Sequence, residues 1–214
     1  MSTEQRFLKD VATHELHVLR DDGVYRHVRF KRPGTMCMHF DLITWPGYLC
    51  YTGDMGTYVF TRVSDMFSFF RKKPGTRIDF HYWAEKCEGS DKCDGLREFD
   101  LDAFKREITE QRRSLFVAYG RDMTADERND FWKELEEVKN AAEDGEHRMY
   151  AAVQDWTFSF NKPDRWGQRR TTIDLDTSDF PSCKRYTHRF LWCCYALAWG
   201  IQQYDESKTV AEAV

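Results

Sequence analysis

One segment of the chain, residues 40–62, decides the fold, and it reads Phe40-Asp41-Leu42-Ile43-Thr44-Trp45-Pro46-Gly47-Tyr48-Leu49-Cys50-Tyr51-Thr52-Gly53-Asp54-Met55-Gly56-Thr57-Tyr58-Val59-Phe60-Thr61-Arg62. Two turn signals, one at Trp45-Pro46-Gly47 and one at Gly53-Asp54-Met55-Gly56, separate three short runs. Those runs are rich in Tyr, Val, Phe, Ile and Thr, the residues that fit a pleated and half-buried surface. The segment therefore predicts three strands joined by two tight turns.

The preceding residues predict a hairpin that extends this sheet. His14 to Arg20 and Val24 to Phe30 flank Asp21-Asp22-Gly23, and Asp-Gly between alternating segments is a strong hairpin signal. Alternation places Val28 and Phe30 on one face of the second strand, with His27 and Arg29 on the other. We expect an antiparallel sheet of about five strands across residues 14–62.

Helical patterns dominate the second half of the chain. Apolar spacing predicts helices over 100–117, 124–143 and 147–158, and Thr124 with Glu127 forms a capping box. Residues 161–181 are polar and predict a long loop. The helix predicted near 186–204 is apolar almost all round, so we expect it to be buried against the sheet. The result is an α+β fold in a single domain, 1–214, sheet-rich over 14–83 and helix-rich over 100–204.

Composition excludes several classes of protein. Apolar residues make up 41% of the chain and aromatic residues 15%, which indicates a folded globular protein. The formal net charge of −4, with both signs mixed along the chain, makes sequence-independent nucleic-acid binding an unlikely function. The N-terminus has no signal-peptide pattern, and we find no apolar run long enough to span a bilayer. These features predict a soluble, cytoplasmic protein without a membrane partner, whose seven cysteines are reduced.

The glycine-rich turn is the sharpest local motif. Successive backbone N–H groups over Gly53, Asp54, Met55, Gly56 and Thr57 can form a nest that holds phosphate. The alternative is a plain hairpin turn whose glycines supply positive φ angles, and this alternative has the greater weight. The turn lacks the Lys-Ser/Thr ending of a nucleotide-hydrolase P-loop, which argues against ATP hydrolysis.

The other candidate binding residues come from the first turn and the polar sheet face. Trp45 precedes Pro46-Gly47, where an indole can either stack on a base or fold back over the edge of the core. Arg62 can add a donor. The polar face carries His27, Arg29, His39, Asp41 and, by one reading, His17, which either bind an anionic ligand or form a solvated surface.

Catalytic and metal motifs are missing from the sequence. It contains no nucleophile elbow, no His-Glu-x-x-His and no dinucleotide fingerprint. Cys37, His39 and Cys50, or Cys87 and Cys93 with His81, do not match the spacing of zinc ligands. Cys193-Cys194 lies in the apolar helix, where a buried thiol is inert. We therefore predict no catalytic residues, no metal and no cofactor.

Residues 40–62, together with Asp65-Met66-Phe67-Ser68-Phe69-Phe70-Arg71, resemble a family of uncharacterised proteins of tailed bacteriophages and prophages. Arg189 to Tyr195 and Tyr204-Asp205 are similar as well, so the resemblance covers most of residues 14–205. It supplies no catalytic residues. It implies a phage accessory protein in the host cytoplasm, and such proteins often antagonise host defences, which is an argument by association.

The sequence thus predicts a non-enzymatic binding protein that sequesters a small nucleotide-derived signal. In this hypothesis Trp45 stacks on the base, the turn from Gly53 to Thr57 meets the phosphate, and Arg62, Arg29 or His39 adds charge-assisted hydrogen bonds. Two alternatives stay open. One is an inhibitor that binds a host defence protein directly, and the other is a nucleotide-processing enzyme that uses His39 or Asp41. Assembly into a homo-oligomer also stays open.

Overall fold

Strands dominate the first part of the chain and helices the second, which confirms the α+β class. The computed structural model describes residues 1–73, 75–90, 95–141, 143, 145–165, 167–176 and 182–212. Its elements, in chain order, are α1 (Thr3–Val11), β1 (Glu15–Asp22), β2 (Tyr25–Lys31), β3 (Phe40–Trp45), β4 (Tyr48–Gly53), β5 (Gly56–Thr61), α2 (Met66–Phe70), α3 (Phe80–Glu85), β6 (Cys87–Gly89), β7 (Arg97–Phe99), α4 (Leu101–Tyr119), α5 (Ala125–Ala141), α6 (Glu146–Asp155), β8 (Thr157–Asp164), β9 (Gly167–Asp174), β10 (Lys184–Tyr186) and α7 (His188–Glu212).

The N-terminal sheet is an antiparallel meander with the order β1-β2-β3-β4-β5-β6, one strand more than expected. The sixth strand is the short segment Cys87–Gly89, which pairs with β5. Residues 77–79 lead into the helix α3. The side chain of Asp79 caps that helix by accepting a hydrogen bond from the Tyr82 N–H. Phe40, where β3 begins, is buried against Phe30 of β2, with ring centroids 4.8 Å apart.

Helix α7 is buried against one face of this sheet, which confirms the prediction for residues 186–204. The helix runs further than predicted, to Glu212. Gly200 allows the close approach, because a Cβ there would lie 3.0 Å from the ring of Phe30 and 3.1 Å from Leu42. Trp192, fully buried on the same helix, packs its indole against Phe40 with ring centroids 5.6 Å apart.

The chain divides into two compact units. The first comprises Met1–Glu98 and Tyr186–Val214, so α7 belongs with the N-terminal sheet, and the second comprises Phe99–Arg185. The prediction of a single domain over 1–214 stays a prediction. Among the described residues, no helix combines the length and apolar composition needed to cross a membrane.

The second unit has its own core, built by α4, α5, α6 and the hairpin β8–β9. Phe104, Phe131, Leu135 and Met149 are fully buried in it. The predicted capping box at the start of α5 is confirmed. The Thr124 N–H donates to Glu127 at 2.7 Å and the Glu127 N–H donates to Thr124 Oγ1 at 3.2 Å.

Two predictions for this second unit were wrong. The helix expected over 147–158 ends at Asp155, and Thr157 begins strand β8. The loop expected over 161–181 is largely the paired hairpin β8–β9, and residues 177–181 lie outside the described part of the chain. The outer half of the hairpin is exposed on both faces, so it lacks the alternation of apolar and polar residues by which a strand is recognised.

Candidate functional site

The predicted nucleotide site does not form, because its two halves lie at opposite ends of strand β4. Trp45 pairs with Tyr48 at the start of that strand, and Gly53 at its end pairs with Gly56 across the glycine turn. Five residue steps of β-strand separate the two ends, a distance of about 17 Å. A base stacked on Trp45 therefore cannot place its own phosphate on the glycine turn.

The glycine turn is held by contacts within the protein. Gly53 lies so close to the preceding loop that a Cβ would collide with the His39 carbonyl oxygen and lie 2.8 Å from Phe40 Cα. The Asp54 N–H donates to that same His39 carbonyl oxygen at 3.2 Å. The Asp54 carboxylate accepts from the Met38 N–H at 2.5 Å and lies 3.1 Å from His39 Nδ1. Two features oppose phosphate binding at this turn. The Asp54 carboxylate would repel a phosphate, and the Asp54 N–H is already bonded to the His39 carbonyl oxygen.

Of the remaining turn residues, Met55 packs against the core and Gly56 is buried, while Thr57 is exposed. The Thr57 and Thr52 hydroxyls lie 2.9 Å apart across the β4–β5 pair. His39, which the sequence placed on the polar sheet face beside Asp41, lies in the loop before β3. It belongs to the same turn cluster as Asp54, so its predicted position was wrong.

Trp45 forms an exposed aromatic pair at the other end of the sheet. Its indole stacks on the ring of Tyr48 with centroids 5.4 Å apart and an interplanar angle of 15°. Trp45 is 36% exposed and Tyr48 is 40% exposed, so the indole does not fold back into the core. The exposed Arg62 follows Thr61, which pairs with Tyr48, and therefore lies at this same end.

A charged network occupies the middle of the polar sheet face. Asp41 is only 4% exposed, and Arg29 donates two hydrogen bonds of 2.8 Å each to its carboxylate. His27 Nε2 lies 2.7 Å from the second carboxylate oxygen. Burial by itself raises the pKa of Asp41, but the hydrogen bonds from Arg29 and His27 outweigh burial and hold the pKa below its ordinary value.

This network predicts a stability that falls in acid. The unfolded carboxyl of Asp41 takes up a proton more readily than the folded one, so its stabilising contribution is present above the ordinary pKa of 3.8 and is lost as the pH falls through the lower, folded pKa. Urea titrations between about pH 7 and pH 2 should show Asp41→Asn to be less stable than wild type at neutral pH, with a shallower loss of stability in acid. Equal slopes for the two proteins would contradict this role of Asp41.

The polar face of the sheet is defined here by the residues paired across β1 to β5. The pairing places His17, Arg29, Asp41, Thr52 and Thr57 in one row and His27, Ile43, Cys50 and Val59 in the next, followed by Trp45, Tyr48 and Thr61. Apart from Asp41, these side chains are half-buried or exposed. We call this surface the open face.

Tyr48, the partner of Trp45, was not among the predicted site residues, although both flank the same Pro-Gly turn. The separation of the two turns was not predicted either. Successive hairpin turns in an antiparallel meander lie at opposite ends of the sheet, since each strand reverses the direction of the one before. That rule, applied to residues 40–62, was sufficient to find the separation.

The residues suggested for catalysis, His39 and Asp41, do not form a common site, and the described residues offer no metal site. Asp41 is engaged by Arg29 and His27, and His39 belongs to a different cluster at the glycine turn, so the two do not converge. No group of three or more His, Cys, Asp or Glu among the described residues is arranged to hold a metal ion. Burial raises the pKa of Cys193 and Cys194 well above the ordinary value for a thiol, which keeps both protonated and unreactive. Cys93 lies outside the described residues.

No protein-family model, no curated protein and no solved structure matches the chain. The resemblance to phage proteins described above stays a prediction.

Proposed function

We propose that this protein is a non-enzymatic binding protein that recognises a protein partner through the open face, with Trp45 and Tyr48 as the main anchors. The exposed aromatic pair is the observation that carries the proposal. Trp, Tyr and Arg are enriched among the residues that dominate binding energy in protein interfaces, and Trp and Tyr bury a large area with few rotatable bonds. Trp45 and Tyr48 present two such rings, already stacked on each other.

The residues beside the pair support this proposal. Ile43, Cys50 and Val59 form a half-buried apolar row next to the two rings, and Arg29, tied to Asp41, lies one row further on. An interface of this kind combines an apolar centre with a polar surround. The Arg29–Asp41 pair is already formed, so its side chains lose little conformational freedom when a partner binds.

The nucleotide-sequestering hypothesis has less support. It needs one ligand to reach both Trp45 and the glycine turn, and the Asp54 carboxylate at that turn repels phosphate. The phage and host setting rests on the resemblance alone. Within that setting the proposal corresponds to an inhibitor of a host defence protein.

The experiment compares captured proteins between two matched variants. Trp45→Ala with Tyr48→Ala removes the aromatic pair, and Val117→Ala removes an exposed apolar side chain, 81% exposed, on α4. Wild type and Val117→Ala should capture the same stoichiometric partner from bacterial lysate. The double variant should lose at least about 2 kcal/mol of binding free energy, a factor of about 30 in Kd measured with the purified partner.

Two results would overturn the proposal. One is equal capture of the partner by the double variant and by wild type. The other is calorimetric binding of a nucleotide from a panel of cyclic and linear nucleotides, with binding lost in the Trp45→Ala variant. The circular dichroism melting curve of each variant checks that the fold persists.

A further inference from the structure

The hairpin β8–β9 carries an exposed, basic arm that neither the open face nor the proposed function uses. Strands β8 and β9 pair along their full lengths, from Thr157 with Asp174 to Asp164 with Gly167. The inner half is anchored, since Phe158 and Phe160 are 5% and 2% exposed in the core of the second unit. In the outer half, every described residue from 161 to 170 is exposed. We call this outer half the arm.

The charge of the arm is opposite to that of the whole chain. Between residues 161 and 170 the sequence has four cations, Lys162, Arg165, Arg169 and Arg170, and one carboxylate, Asp164. Four positive charges and one negative charge leave +3, whereas the chain as a whole carries −4. The prediction against nucleic-acid binding rested on the whole-chain value, which says nothing about where the cations gather.

The three arginines of the arm differ from its lysine in their contacts. Lys162 forms an ion pair with Asp122 at 3.0 Å, on the side of the ribbon that carries Phe158 and Phe160. Arg165, Arg169 and Arg170 form no ion pair or hydrogen bond with another described residue. Three guanidinium groups held on one short ribbon repel one another, and an anionic partner relieves that repulsion.

The ribbon also displays groups that can read bases. Pairing places Asn161 opposite Arg170 and Pro163 opposite Gln168, and both pairs lie on the face turned away from the buried phenylalanines. Arg, Asn and Gln are the side chains that make paired hydrogen bonds to base edges in the major groove. A two-stranded β-ribbon is also one of the two protein elements that the major groove of B-form DNA admits.

We propose that the arm inserts into the major groove of double-stranded DNA, with Arg170 on base edges and Arg165 and Arg169 on phosphates. Arg169 and Arg170 are consecutive strand residues, so their side chains lie on opposite faces of the ribbon. The chemistry favours DNA over double-stranded RNA, because the major groove of an A-form helix is too deep and narrow for side chains to read. The negative charge elsewhere on the chain opposes association. Binding is therefore weak, in the range of about 10⁻⁶ to 10⁻⁴ M at physiological salt, and tightens as salt is lowered.

The test is fluorescence anisotropy of a labelled duplex of about 20 base pairs, titrated with the full chain at several salt concentrations from about 50 to 200 mM. The arm variant combines Arg165→Gln, Arg169→Gln and Arg170→Gln. A matched control combines Arg6→Gln, Arg77→Gln and Arg121→Gln, which are exposed and change the net charge by the same amount.

The expected results separate local contacts from overall charge. Wild type should bind with a salt slope near −3, since each neutralised phosphate contributes about −0.9 to the slope of log K against log salt. The arm variant should bind at least about tenfold more weakly at the lowest salt and lose most of the slope. The control should keep the slope and change affinity less.

Three results would overturn the proposal. One is the absence of wild-type binding at the lowest salt, and another is equal binding by the arm variant and the control. The third is tighter, arm-dependent binding to an RNA hairpin or to vesicles of anionic lipid than to the duplex. Melting curves should be unchanged in the arm variant, since the side chains of its three arginines form no ion pair or hydrogen bond with a described residue.

Discussion

Replacing Gly53 by alanine should destabilise the protein by about 3 kcal/mol, the upper end of the range for overpacking a site that cannot relax. The Cβ of the alanine would fall on the His39 carbonyl oxygen, 2.8 Å from the Cα of Phe40. Both neighbours are main-chain atoms, so no rotamer change relieves the collision. Strand β4 would have to shift away from β3 at the pair Phe40–Gly53. Denaturant unfolding monitored by circular dichroism measures the loss.

Gly47→Ala is the matched control for this prediction. Gly47 also lies in a tight turn and has φ of +85°, but a Cβ there would meet nothing within 4 Å. The substitution should therefore cost only the backbone preference, about 1 kcal/mol. A loss at Gly53 no greater than at Gly47 would contradict this prediction and show that the loop at His39 can move away.

Replacing Trp192 by alanine should cost about 3 to 5 kcal/mol, the usual loss when a large aromatic side chain is deleted from a core. The indole is fully buried and packs edge-to-face on Phe7 at 4.9 Å and on Phe40 at 5.6 Å. Its Nε1–H donates to Asp10 at 3.1 Å. Trp192 thus joins α1, α7 and the sheet, and a cavity there loosens all three.

Trp192→Phe separates packing from the hydrogen bond. Phenylalanine keeps most of the apolar surface but leaves Asp10 without the indole donor, so this variant should lose less stability than Trp192→Ala. Urea unfolding of both variants gives the comparison. Equal losses would show that the bond to Asp10, and not the packing of the ring, dominates the contribution of Trp192.

These two positions matter for the function proposed here, because the open face is the reverse side of the sheet that Trp192 and Gly53 support. Phe40 faces α7, while its neighbour Asp41 lies on the open face. A variant that loosens the core should therefore weaken partner binding indirectly. For this reason the binding test substitutes Trp45 and Tyr48, which are exposed, and leaves the core residues unchanged.

Much of the first unit was predictable because its local signals agree with one another. In residues 40–62 the turn residues, the strand propensities and the alternation of faces all indicate the same meander, and the structure has it. The burial of α7 was predictable because the helix carries apolar residues on all sides. The hairpin β8–β9 was not predicted, because Asn161 to Arg170 is polar on both faces and carries no periodic signal.

The candidate site was predicted residue by residue but not as an arrangement. Trp45 is exposed beside its turn and does not fold back over the core, which was one of its two predicted positions. Arg29 and Asp41 share a face of the sheet, as predicted. Trp45 and the glycine turn, predicted to form one site, lie at opposite ends of β4. His39, predicted on the sheet face, lies in the loop beside Asp54. Residue types indicate which chemistry is available, but the register of the strands decides which groups meet.

The sequence by itself determined the meander, its two turns and the buried C-terminal helix, because each depends on interactions between residues that are near in the chain or on a repeating apolar pattern. Tertiary structure alone decided three further features. These are the hydrogen bonds of Arg29 and His27 to Asp41, the stacking of Trp45 on an exposed Tyr48, and the exposure on one ribbon of three arginines without an ion-pair partner among the described residues. Each of these depends on strand register and on burial, and both are set by how the whole chain packs.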